Sequence, residues 1–111
     1  MVVPPRSECM SLIKRFYMPR HVLHHTIAVK TLALAIGSRL NAHGVDIDMA
    51  KLESAALLHD LFKVKDFIDS QDGSLNAYPE EAWKAWRSLK KEYAEPHSEA
   101  IVRFLTPNIM R

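Results

Sequence analysis

The stretch Ala55-Ala56-Leu57-Leu58-His59-Asp60-Leu61-Phe62-Lys63 is an apolar, helix-forming run that abruptly presents a histidine, an aspartate and a lysine. Alanine and leucine favour helix, and the small Ala55 and Ala56 let a neighbouring helix approach closely. Placing His59 and Asp60 beside such a packed surface costs desolvation energy unless something pairs with them. A metal ion would do so, because imidazole and carboxylate are both ordinary ligands of zinc, iron or manganese. Adjacent residues diverge by about 100° around a helix. The long imidazole and the short carboxylate can nevertheless converge on one ion, since their reach differs.

One doublet does not make a metal site. Upstream, His24-His25-Thr26-Ile27-Ala28-Val29 opens another apolar helical pattern. The two blocks in order resemble the HD-domain superfamily of metal-dependent phosphohydrolases. Its signature is a histidine followed by a small hydroxyl residue and a valine, then Ala-Leu-Leu-His-Asp with a lysine close behind. The resemblance covers residues 22–65. It implies that His25, His59 and Asp60 hold a divalent ion of the Mn, Fe, Zn, Mg or Ni class. It casts Asp60 and Lys63 as the catalytic pair, with Lys63 offsetting the charge of a bound phosphate. His97 falls where some members carry a further histidine that contacts phosphate or a second metal. The implied substrate is a small phosphorylated molecule, a nucleotide or another phosphate ester. Two departures stand out. Phe62 occupies a position that is commonly glycine, where it is expected to fill space near the site. The family also has a later aspartate ligand, and no aspartate follows Asp72.

Composition sets the outer bounds. A chain of 111 residues is one domain's worth, and it can bury roughly two thirds of its unfolded surface without disulfides. Its hydrophobic fraction of 48% and charged fraction of 25% are those of a globular protein. A formal charge of +2 argues against a nucleic-acid or anionic-membrane partner. The single Cys9 cannot form an internal disulfide, which suits a reducing cytoplasm. The apolar tract Leu32–Ile36 is bounded by Lys30 and Arg39 and falls short of a membrane span. The expectation is a cytoplasmic protein.

Periodicity places the elements. A first helix follows Pro4-Pro5 with Ser7 as a plausible N-cap, has Cys9, Met10, Leu12, Ile13, Phe16 and Tyr17 as its apolar face, and ends at Pro19. A second runs from about Arg20 to Ala42 and stops at Gly44, a left-handed cap. Val22, His25, Val29, Leu32, Ile36 and Leu40 form its apolar stripe at steps of three or four, which puts His25 on the inward face and rotates His24 off it. Taken alone, His25 reads as a core histidine, and His21, one turn earlier, makes a rival helical histidine pair. A third helix, capped by Asp48, spans Met49 to about Val64, and Asp60 by itself could be a surface partner of Lys63 or Lys30. Asp69 to Ser74 is a polar loop with an Asp-Gly turn. Pro79 starts a helix whose Trp83, Trp86, Leu89 and Tyr93 share one face. Pro96-His97 opens the last helix and Pro107 closes it.

The sequence therefore predicts an all-α fold: residues 1–111 form one compact, HD-like bundle of about five helices, with no period-two run. Because the later aspartate is missing, the 111 residues are expected to be a truncated or partly ordered piece of a longer domain, leaving an apolar flank exposed near the second and third helices. The alternatives are a non-enzymatic HD-like module that binds a ligand through the same pocket, and a purely structural helical domain.

Overall fold

The computed structural model describes residues 4–69 and 73–109, with side chains as far as Thr106. Five helices follow one another: α1 (Arg6–Arg15), α2 (Arg20–Ala42), α3 (Met49–Leu58), α4 (Glu80–Glu92) and α5 (His97–Ile109). A short 3₁₀ helix (Lys63–Asp66) lies between α3 and α4, and the described residues contain no strand. The all-α expectation holds.

Helix α1 is stapled to α3 at its start. Cys9 and Ile13, one turn apart, are buried. At the start of the helix Arg6 donates to both oxygens of Glu53 at 2.9 and 2.8 Å, and Ser54 Oγ donates to Pro4 O at 2.6 Å. The N-cap is Pro5, without a side-chain hydrogen bond, so Ser7 does not cap it. Chain reversal occurs at Tyr17, not Pro19. Tyr17 has φ 53, and Met18 N–H returns to Ile13 O while Tyr17 N–H returns to Lys14 O. That is a Schellman end with tyrosine where glycine is usual. Trp86 Nε1 donates to the carbonyls of Phe16 (3.0 Å) and Tyr17 (3.2 Å), so the exit from α1 is anchored to α4.

Helix α2 is 23 residues, about 34 Å long. It ends as expected: Gly44 has φ 88, and Val45 N–H bonds Leu40 O. Its buried face differs from the expected stripe. Val22, Thr26 and Gly37 are buried, whereas Leu32 (63% exposed), Ile36 (53%) and Leu40 (40%) face solvent. The reason is Gly37. A Cβ there would stand 2.6 Å from Leu52 Cδ2 and 3.0 Å from Met49 Sδ. Helix α3 lies against the smallest side chain of α2, and the larger residues turn outward. An exposed apolar flank is thus present on the second helix.

Helix α3 begins at Asp48, whose side chain accepts from Lys51 N–H. It stops at Leu58 rather than Val64. Beyond it the backbone tightens: Leu61, Lys63, Lys65 and Phe67 each donate to the carbonyl three residues earlier. Phe62 is fully buried and its ring sits 5.1–5.2 Å from Phe16, Tyr93 and Phe104. It fills the core and not the pocket, which corrects the sequence expectation. At φ –100 it also has no need of glycine's freedom. Ala82, Trp86, Leu89 and Tyr93 of α4 and Ala100 and Ile101 of α5 close the same core. Helix α5 continues past Pro107 to Ile109, so that proline does not end it. Among the described residues no helix is long and apolar enough to cross a membrane.

Candidate metal centre

Three elements aim side chains at one buried carboxylate. Asp60 follows α3 in the tightened turn, and its side chain is 7% exposed. His25 comes from the second turn of α2, where the next residue, Thr26, turns fully into the core. His25 Nε2 lies 3.6 Å from Asp60 Oδ2, and His59 Nε2 lies 3.1 Å from the same oxygen. One donor atom from each of His25, His59 and Asp60 falls within 4.8 Å of the others. Their convergence is as the two sequence blocks imply, although His25 reaches it from an exposed position on α2 rather than from the inward face.

The spacing is that of ligands. Two donors each about 2.1 Å from an ion stand about 3.0 Å apart at a right angle and about 3.4 Å apart at the tetrahedral angle. The observed 3.1 and 3.6 Å lie close to those values. The orientation of His59 fits as well. Its Nδ1–H donates to Ala56 O at 2.6 Å, which turns Nε2 toward Asp60. Ring nitrogens of metal-ligating histidines are commonly oriented by such an outer hydrogen bond. The cluster can therefore hold a divalent ion.

Two further groups ring Asp60. Lys63 Nζ stands 4.0 Å from Oδ2, and His97 Nε2 stands 3.5 Å from the other oxygen, Oδ1. His97 starts α5 and makes a second contact through Nδ1, 2.7 Å from Asp66 Oδ2. Asp66 was not among the residues that the sequence motifs single out. At 3.6 residues per turn, positions 60 and 66 point about 120° apart. At three residues per turn, positions 60, 63 and 66 eclipse one another. The run of i to i–3 hydrogen bonds puts Asp60, Lys63 and Asp66 along one edge. A break in helical character after His59 is the only local signal for it. Partial burial works to raise the Asp66 pKa, but hydrogen bonds from His97 and from Lys65 (3.1 Å) outweigh it, and the carboxyl lies below its ordinary value.

Other candidates lie elsewhere. The His21 ring packs 5.7 Å from Phe67, so it does not pair with His25 at the cluster. His24 is exposed, His43 caps α2, and Asp69 forms an ion pair with Lys90. Asp72 lies outside the described residues. Cys9 is buried, its thiol pushed up chiefly by that burial, which suits a packing role.

No solved structure matches the chain. A family model described as HD domain matches residues 22–106, a span that covers more than half of the sequence and contains His25, His59, Asp60, Lys63 and His97. Taken with the helical fold and the His/Asp cluster, that match places the chain in the HD-domain family, within the superfamily of metal-dependent phosphohydrolases.

Proposed function

We propose that this chain is a metal-dependent phosphohydrolase acting on a nucleotide or another small phosphate ester, with His25, His59 and Asp60 as its metal ligands. The observation that carries this reading is the convergence of three donors at ligand spacing, one of them pre-oriented by Ala56 O. A divalent ion held there would supply a polarised phosphoryl oxygen and an acidified water at neutral pH.

The remaining work falls to the chain itself. Asp60 keeps one oxygen toward the two histidines and the other toward His97, so it organises both sides of the pocket. Lys63 is partly exposed and within 4.0 Å of Asp60, a position from which its ammonium can meet a phosphate that enters beside the carboxylate. His97, about a quarter exposed, presents Nε2 to the same space as a substrate-binding group. Replacing Lys63 by alanine should therefore raise KM while leaving metal affinity near that of the wild type.

The test is metal content after purification, followed by hydrolysis of p-nitrophenyl phosphate and nucleoside monophosphates with Mn²⁺, Ni²⁺, Zn²⁺ or Mg²⁺. Turnover that depends on metal and is lost in Asp60→Asn and His59→Gln supports the proposal. A second reading is an HD-like binding module that uses the same His/Asp cluster without turnover. Tight metal binding without turnover of any phosphate ester would select that reading, and failure to bind metal would sink both.

A further inference from the structure

We propose that Asp66 is the positioning residue for His97, fixing its tautomer and ring plane so that Nε2 faces the pocket at the Oδ1 side of Asp60. The function assigned to that nitrogen rests on the phosphohydrolase reading above, whereas the Asp66–His97 coupling stands without it. Three observations combine. The Asp66 carboxylate is held at both oxygens, Oδ1 by Lys65 Nζ at 3.1 Å and Oδ2 by His97 Nδ1 at 2.7 Å. Lys65 is itself only 5% exposed, so the carboxylate is gripped from the core side and has little freedom to swing away. The backbone of Asp66 belongs to the same tightened turn as Asp60, through Lys63 N–H to Asp60 O and Lys65 N–H to Phe62 O. Asp60 and Asp66 are therefore two fixed points, and the imidazole of His97 spans them.

The arrangement repeats the one at His59. There Ala56 O accepts from Nδ1–H and Nε2 turns to Oδ2 of Asp60; here Asp66 Oδ2 accepts from Nδ1–H and Nε2 turns to Oδ1. A carboxylate acceptor at Nδ1 selects the tautomer that keeps Nε2 for the bound substrate. Pro96 and Ser98 on either side of His97 are exposed, and the two nitrogens of its ring meet Asp66 and Asp60.

The experiment uses the full chain as wild type, Asp66→Ala, Asp66→Asn, His97→Ala and the double variant Asp66→Ala/His97→Ala. Long-range ¹H–¹⁵N NMR of the zinc-loaded and metal-free protein reads the His97 tautomer. We expect a single Nδ1–H form in wild type and in Asp66→Asn, whose amide oxygen still accepts, and a tautomer mixture in Asp66→Ala. With p-nitrophenyl phosphate, Asp66→Ala should lower kcat about 10- to 100-fold, as loss of an orienting partner does, with zinc affinity changed less than about threefold. In the His97→Ala background the same substitution should cost less than about twofold, since coupled residues are not additive. An unchanged His97 tautomer in Asp66→Ala would overturn the proposal, as would an equal loss of kcat with and without His97. If no variant or wild type turns over substrate, the phosphohydrolase reading fails and the tautomer alone decides the Asp66–His97 coupling.

Discussion

Metal binding should stabilise this fold by an amount that can be worked out beforehand. The donors of His25, His59 and Asp60 already stand at 3.1 and 3.6 Å, so an ion enters without rearranging the helices that carry them. A ligand that binds only the folded state adds about 2.7 kcal/mol when present at 100 times its dissociation constant. Unfolding entropy scales with chain length, and for a chain of this size 1 kcal/mol moves Tm by about 4 °C. Wild type should therefore gain about 11 °C in differential scanning fluorimetry at that metal concentration. Loss of an outer orienting partner commonly costs 10- to 100-fold in metal affinity, and loss of the Asp60 ligand should cost at least the upper figure. In Asp60→Asn the shift at the same metal concentration then falls to about 2 °C or less. Asp69→Asn is the control, because Asp69 pairs with Lys90 and takes no part in the cluster. Dissociation constants come from isothermal titration with Mn²⁺ and Zn²⁺. A wild-type shift that survives in Asp60→Asn, or one that Asp69→Asn reduces equally, would refute the assignment of this cluster as the metal centre.

Three further outcomes follow from the rest of the molecule. Gly44→Ala should lower stability in urea by about 1–2 kcal/mol, since φ 88 disfavours a side chain while no atom lies within 4 Å to compensate or clash. An effect below a few tenths of a kcal/mol would mean the α2 terminus relaxes freely. Trp86→Phe removes the donor shared by the Phe16 and Tyr17 carbonyls and should cost about 1–3 kcal/mol by denaturant titration, read together with a loosened α1 in hydrogen exchange. Unchanged protection in α1 would show that the bond is not what anchors it. The Arg103 hydrogen bond holds the Glu95 carboxyl down to about 2. A depressed pKa contributes stability that is complete above the ordinary value near 4.5 and is lost as pH falls toward 2. Urea midpoints measured at pH 5 and pH 2.5 should differ less in Glu95→Gln than in wild type, and an equal difference would assign the acid sensitivity elsewhere.

What the sequence alone determined is what local periodicity and paired motifs can carry. Helical spacing of apolar residues marked out α1 to α5, Gly44 marked the end of α2 and Asp48 the start of α3, because caps and stripes are properties of a few neighbouring residues. The blocks around His25 and His59-Asp60 named the three residues that the fold brings together. Tertiary structure decided the rest. A stripe specifies an apolar face but not which neighbour covers it, and close packing at Gly37 turned Leu32, Ile36 and Leu40 to solvent. Phe62 went into the core because Phe16, Tyr93 and Phe104, from segments far apart in sequence, form its cage. The role of Asp66 depended on a change of helical pitch after His59. A shift from 3.6 to 3.0 residues per turn moves position 66 by about 120° relative to position 60, and only the packed turn shows that the tighter pitch prevails and that His97, 31 residues further on, arrives to meet it.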